Sequence, residues 1–106
     1  MTICRVWRGW TTTDNADAYE RIVRGEVIPG IEARQIPGFR HIDLMRRVDG
    51  DEVEFLTLMW FDSIEAIKSF VGEDHEVAHV PKAAGAVLSR FDERVAHFEV
   101  LDRRPQ

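Results

Sequence analysis

The chain has 106 residues, room for one domain built on one core, taken here as 1–106. Hydrophobic residues make up 44% and charged residues 31%, an ordinary globular balance, and the net charge of −5 with no Lys/Arg cluster argues against nucleic acid and anionic membranes as partners. Cys4 is the only cysteine, so no internal disulfide and no thiolate cluster is available; with no apolar signal core in the opening residues, a cytoplasmic protein is expected.

From Ile3 to Thr11 apolar residues fall on both alternating faces: Ile3 and Trp7 on one, Cys4, Val6 and Trp10 on the other. Such a strand is expected to be covered on both sides. Thr12-Thr13-Asp14-Asn15 supplies N-cap candidates for a helix over 15–28, whose stripe is Ala16, Tyr19, Ile22, Val23 and Val27. Pro29-Gly30 is expected to interrupt it, with a short continuation through Ile31–Arg34 before the Ile36-Pro37-Gly38 turn.

Two strands, Phe39–Val48 and Val53–Phe61, flank Asp49-Gly50, a two-residue hairpin signal. That turn pairs 48 with 51, 46 with 53 and 44 with 55, putting His41 and Asp43 on the face of Leu58 and Trp60. Ser63 is positioned to cap a second helix with the stripe Ile64, Ile67, Phe70 and Val71, ended by Gly72. Pro81 opens a short helical turn through Leu88, and Arg94–Leu101 reads as the last strand.

The order β-α-β-β-α-β predicts an α+β, ferredoxin-like domain with a four-stranded antiparallel sheet and helices on one face. Phe55, Met59 and Phe61 alternate with Leu56, Leu58 and Trp60, so both sheet faces are apolar. One helix layer covers one row only, and a second copy of the sheet would cover the other: a homodimer is expected through that face.

Several stretches of this pattern resemble the antibiotic-biosynthesis monooxygenase family of dimeric α+β barrels. They are Arg5-Val6-Trp7-Arg8-Gly9-Trp10, Ile36-Pro37-Gly38-Phe39, Asp49-Gly50-Asp51-Glu52-Val53-Glu54-Phe55, Trp60-Phe61-Asp62-Ser63 and His97-Phe98-Glu99-Val100, and the likeness runs over about 3–101. The resemblance implies a pocket between sheet and helices for a small hydrophobic or aromatic ligand. It also implies oxygenase chemistry on an anthrone- or quinol-like substrate without a bound cofactor. The haem-degrading branch is similar at Trp60 and at His79, but uses an Asn on the first strand where this chain has Arg8. Some anthrone oxygenases use a tyrosine; Tyr19 is the only one here, and no role is assigned to it.

Three residues are the catalytic candidates. His79 is a base of suitable strength at neutral pH, or else a surface histidine. Trp60 offers a flat wall for a planar substrate, or else packs in the core. Arg8, if its face is the pocket face, would stabilise a developing anion; otherwise it pairs with a carboxylate such as Glu99. Arg5, on the opposite face, is expected at the dimer interface. Trp10, Leu58, Phe70, His75 and His41 are expected to bind substrate.

His75-Glu76-Val77-Ala78-His79 matches the zinc-protease pattern H-E-x-x-H, which requires both histidines on one helical face. Glu73 and Asp74 precede it, Pro81 follows closely and no third ligand is evident, so no metal is expected. Other functions remain open: a non-catalytic homodimer that binds a small ligand or acts as a subunit partner, a haem-binding or haem-degrading protein, and isomerase-like or decarboxylase-like chemistry.

Overall fold

A computed structural model describes residues 1–106. Its central strand is β1 (Ile3–Thr12), and β2 (Phe39–Asp49) and β3 (Glu52–Phe61) form the hairpin beside it. The order across the sheet is β2-β3-β1, with β4 (Arg90–Phe91) and β5 (Ala96–Glu99) both on the outer edge of β1, all antiparallel. This is the expected ferredoxin-like sheet with its fourth strand in two pieces. The strand expected over Arg94–Leu101 is shorter, Ala96–Glu99, and Arg90–Phe91 is a strand that was not expected; between them Asp92 N–H reaches Arg8 O at 2.9 Å and Val95 is buried.

Between β1 and β2 the helical run is continuous over 16–33. It is α-helical at Ala16–Ile22 (α1), π-helical at Val23–Val27 and α-helical again at Ile28–Ala33 (α2). Pro29 therefore does not break the helix as expected. It has no N–H to give the carbonyl four residues back, and the turn before it widens so that Ile28 N–H bonds Val23 O, five residues back. α3 (Ile64–Val71) matches its sequence signals: Ser63 Oγ accepts from Ala66 N–H at 3.1 Å, and Gly72 ends it at φ +96°. A short α4 (Lys82–Gly85) follows Pro81.

The hairpin register differs from expectation by two residues. Asp49 pairs with Glu52 and Val48 with Val53, so Gly50-Asp51 is the loop. A shift of two preserves which side chains share a face, and His41 and Asp43 do lie opposite Trp60 and Leu58. Arg40 is bulged out between Phe39 and His41.

The helices cover the row Ile3, Arg5, Trp7, Gly9 and Thr11 of β1 and its neighbours Phe61, Met59, Thr57, Phe55 and Val53 of β3. Phe55, Phe61 and Ile67 are fully buried there. Gly38 holds the β2 end against α3: its φ is +84°, and an added Cβ would lie 2.9 Å from Ala66 Cβ. The other row has no covering element in the single chain. Cys4, Val6, Arg8 and Trp10 stand beside Trp60, Leu58, Leu56 and Glu54, with Phe98 58% exposed at the edge.

Candidate functional site

A cavity of about 50 Å³ lies between the sheet and the helical run. Strand alternation delivers Arg5 and Trp7 to it from β1 and Thr57 and Met59 from β3. The roof is Tyr19 of α1, Val23 and Val27 of the π turn, and Ile28 and Ile31 of α2; Phe70 and the segment 79–81 close one side. Twelve of its sixteen lining residues are hydrophobic, and no carboxylate is among them.

Arg5 is 3% exposed and forms no ion pair with any carboxylate. Its Nη1 donates to His75 O at 2.5 Å and to His97 Nε2 at 3.0 Å, and its Nη2 to Val77 O at 2.5 Å. Removal from water pulls its pKa down to about 10, leaving it a cation at neutral pH. Because a guanidinium only donates, His97 Nε2 must accept. His97 is held neutral, its pKa pushed down to about 4 by burial, then by the Arg5 and His75 charges.

His79 packs 4.9 Å from the Phe70 ring, which Arg5 and Arg34 flank at 5.6 and 5.2 Å. Burial, with Arg34 and Arg5 adding to it, lowers the His79 pKa, so its imidazole is the free base at neutral pH. The Tyr19 ring packs edge-on against Phe55, with centroids 4.6 Å apart. Burial raises the pKa of its phenol, which stays protonated as a donor at the cavity. Trp7 Nε1–H is satisfied by Asp92 O at 2.9 Å, so the ring offers the cavity an apolar surface. That ring lies over Gly9, where an added Cβ would stand 2.5 Å from Trp7 Cη2. Glycine at this position is what lets the indole lie flat on its own strand.

Val27, Ile31, His79 and Pro81 also line an outer recess of about 280 Å³ that includes Glu26 and Arg34. The cavity and the recess thus adjoin at these four side chains, His79 among them.

Of the residues singled out from sequence, His79 and Phe70 reach the cavity. Arg8, Trp60, Trp10, Leu58 and His41 do not, because alternation points all five to the opposite sheet face. There Arg8 lies 3.8 Å from Glu54 rather than pairing with Glu99, His41 stacks on Trp60 at 4.4 Å, and Arg90 sits 3.9 Å over Trp10. The expected meeting of Arg8, Trp60 and His79 is therefore not formed. Arg5, expected at a subunit interface, occupies the cavity instead. His75 contributes its carbonyl to Arg5 and lies outside the lining. Residues 75–79 form a turn and a one-residue bridge from Val77 to Arg94, so the helical face that H-E-x-x-H needs does not exist. No group of three or more His, Cys, Asp or Glu side chains gathers as a metal site. Arg5, Trp7 and Tyr19 are what sequence reasoning missed. Parity placed Arg5 and Trp7 in one row with Ile3 and Gly9, but not under the helices.

Neither a protein-family model nor a curated protein matches the sequence. Solved structures do match. A Bacillus cereus protein assigned as an antibiotic biosynthesis monooxygenase superposes with a TM-score of 0.69 at 16% identity, over 99% of this chain and 98% of that one. The chain has the antibiotic biosynthesis monooxygenase fold. SnoaB, a cofactor-independent oxygenase from Streptomyces nogalater, shares that fold with a TM-score of 0.65 at 19% identity, over 99% and 98% of the two chains. So does a mutant of MhuD with manganese protoporphyrin IX bound, with a TM-score of 0.67 at 19% identity over the whole of both chains. At these identities the likeness establishes architecture; the chemistry must be argued from the cavity.

Proposed function

We propose that this protein is a small-molecule oxygenase that needs no bound cofactor and acts on an electron-rich aromatic substrate, such as an anthrone or quinol, in the cavity between sheet and helices. The observation that carries this reading is the neutral His79 imidazole at the mouth of an otherwise apolar chamber. His79 removes a proton from the activated carbon of the substrate. The carbanion passes one electron to dioxygen, and the resulting radical and superoxide combine to form a carbon–oxygen bond. Protonation of the peroxide and loss of water, with the second hydrogen of that carbon, leave a carbonyl. A CH₂ and O₂ thus become C=O and H₂O. The Tyr19 hydroxyl donates to the substrate oxygen on which charge accumulates, and Trp7 and Phe70 flank the ring.

Admission requires movement. Pockets for ligands of this size span roughly 300–1,000 Å³, and this cavity is far smaller. The π turn, with Pro29 behind it, makes Val27 and Ile31 the section of wall that can yield. The uncovered apolar row of Val6, Leu56, Leu58 and Trp60 supports assembly as a homodimer through the open sheet face.

An oxygen electrode and product mass spectrometry on an anthrone and a quinol test the reading. One O₂ consumed per carbonyl formed is expected, with His79→Ala slower by about 10²–10⁴, the range of a lost general base. Ligand binding without oxygen uptake, or turnover that persists under argon, overturns it. A Soret shift on adding hemin, abolished by His79→Ala, would favour the haem reading that the likeness to MhuD raises.

A further inference from the structure

Arg5 is a buried cation whose countercharge is missing from the chain. Burying an ion without an opposite charge is costly, and proteins ordinarily place a carboxylate beside such a group. Here all three acceptors are uncharged: two backbone carbonyls and a neutral imidazole. The nearby acids are used elsewhere, Asp74 and Glu76 by Arg94. With both Nη1 hydrogens and one Nη2 hydrogen engaged, the Nε–H and the remaining Nη2–H have no protein acceptor. Nε–H together with an Nη2–H is the side-on fork with which a guanidinium grips a carboxylate through two parallel bonds. Nε is not sealed in packed atoms either, since Thr11 Oγ1 is the only fully enclosed side-chain nitrogen or oxygen without a partner. The space these donors can meet is the cavity that Arg5 lines.

We infer that the cavity takes an organic anion, a flat apolar body carrying one carboxylate or a group of like charge and shape, and that Arg5 is the residue that selects it. The rest of the lining agrees. It has no acidic side chain to repel an anion, and the outer recess carries one charge of each sign, Arg34 and Glu26. Trp7 and Phe70 take the apolar body, while the fork takes the charged end. The inference rests on the cavity being the ligand site of the proposed function, and not on the oxygenase step.

Benzoate and benzamide separate charge from shape, having the same ring and nearly the same outline. Calorimetric titration of the intact protein should show benzoate binding about tenfold or more tighter, the scale of a charge-assisted pair over neutral hydrogen bonds. The preference should vanish in Arg5→Gln and persist in Arg8→Gln, whose guanidinium lies on the other sheet face. Should Arg5→Gln fail to fold, the wild-type protein supplies the readout. A carboxylate on Arg5 offsets the charge that suppresses protonation of His97, so benzoate should raise the His97 pKa from about 4, followed by imidazole NMR, and benzamide should not. Equal affinity for the two probes, no detectable benzoate binding, or a preference unchanged in Arg5→Gln overturns the inference. Selective benzoate binding without oxygen uptake on any substrate would sustain it while removing the oxygenase reading.

Discussion

The two faces of the sheet are made from alternate residues of the same strands, yet they are different environments. On the helix side three polar side chains are tightly held: Arg5 by carbonyls and His97, His97 as a neutral acceptor, and Trp7 by Asp92 O. On the open side charges pair loosely near water, with Arg8 55% exposed beside Glu54 and Arg47 bonded to the same carboxylate. Apolar side chains between them, Leu58 and Trp60 among them, have no cover within the chain. Adjacent residues such as Trp7 and Arg8 therefore have different physical tasks, and nearness in sequence says nothing about sharing a site.

The sharpest break of this comparison is loss of the covered row. Phe61→Ala removes a fully buried ring packed on Phe39 and Phe70, and should cost about 3–5 kcal/mol in denaturant unfolding. Trp60→Ala, next along the chain on the open face, tests the proposed dimer: sedimentation velocity at micromolar concentration should show weakened self-association, with the cavity residues undisturbed. A wild-type protein that sediments as a folded single chain would remove the case for a covered open face.

Next in size is Gly9→Ala. The new Cβ pushes the Trp7 ring off its strand, an overpacking effect of about 1–3 kcal/mol, and should blue-shift or quench indole fluorescence. The same change at Gly25, where an added Cβ meets nothing, should not lower stability.

A smaller effect separates the faces by pH. The His97 pKa lies near 4 in the folded protein against the ordinary 6.5, so the unfolded chain binds this proton more readily. Stability from keeping His97 neutral is complete above about pH 6.5 and is lost as pH falls towards 4. Melting temperature should fall across that window, and His97→Gln, which keeps an acceptor for Arg5, should flatten the slope. His79 acts in the same direction. Smallest of all is Asp62→Asn, which dissolves the exposed pair with Arg40 and should leave the melting temperature almost unchanged, as solvated ion pairs contribute little.

Much of the architecture was legible. The helical stripes, the Ser63 cap, the Gly72 stop and the hairpin are local signals, and local signals are written in neighbouring residues. The exact hairpin loop was not, since Asp49-Gly50 and Gly50-Asp51 both satisfy a two-residue turn and only the pairing of the whole strands selects one. The path of the chain through Pro29 was not legible either. A proline normally ends a helix, but here packing of Val23, Val27 and Ile31 on the sheet keeps the helix going through a π turn. Of the residues lining the cavity, His79 and Phe70 had been singled out because they follow or belong to a helix whose position is well marked. Arg5, Trp7 and Tyr19 were not.

The amino-acid order by itself determined the succession of the main strands and helices and the grouping of each strand into two rows, because side-chain alternation is a property of extended backbone. Which row of β1 would lie under the helices it could not determine, for both rows are apolar and each also carries an arginine. Only the folded sheet decided that, when α1, α2 and α3 packed against Ile3, Phe55 and Phe61, enclosing Arg5 and Trp7 and leaving Arg8 and Trp60 outside.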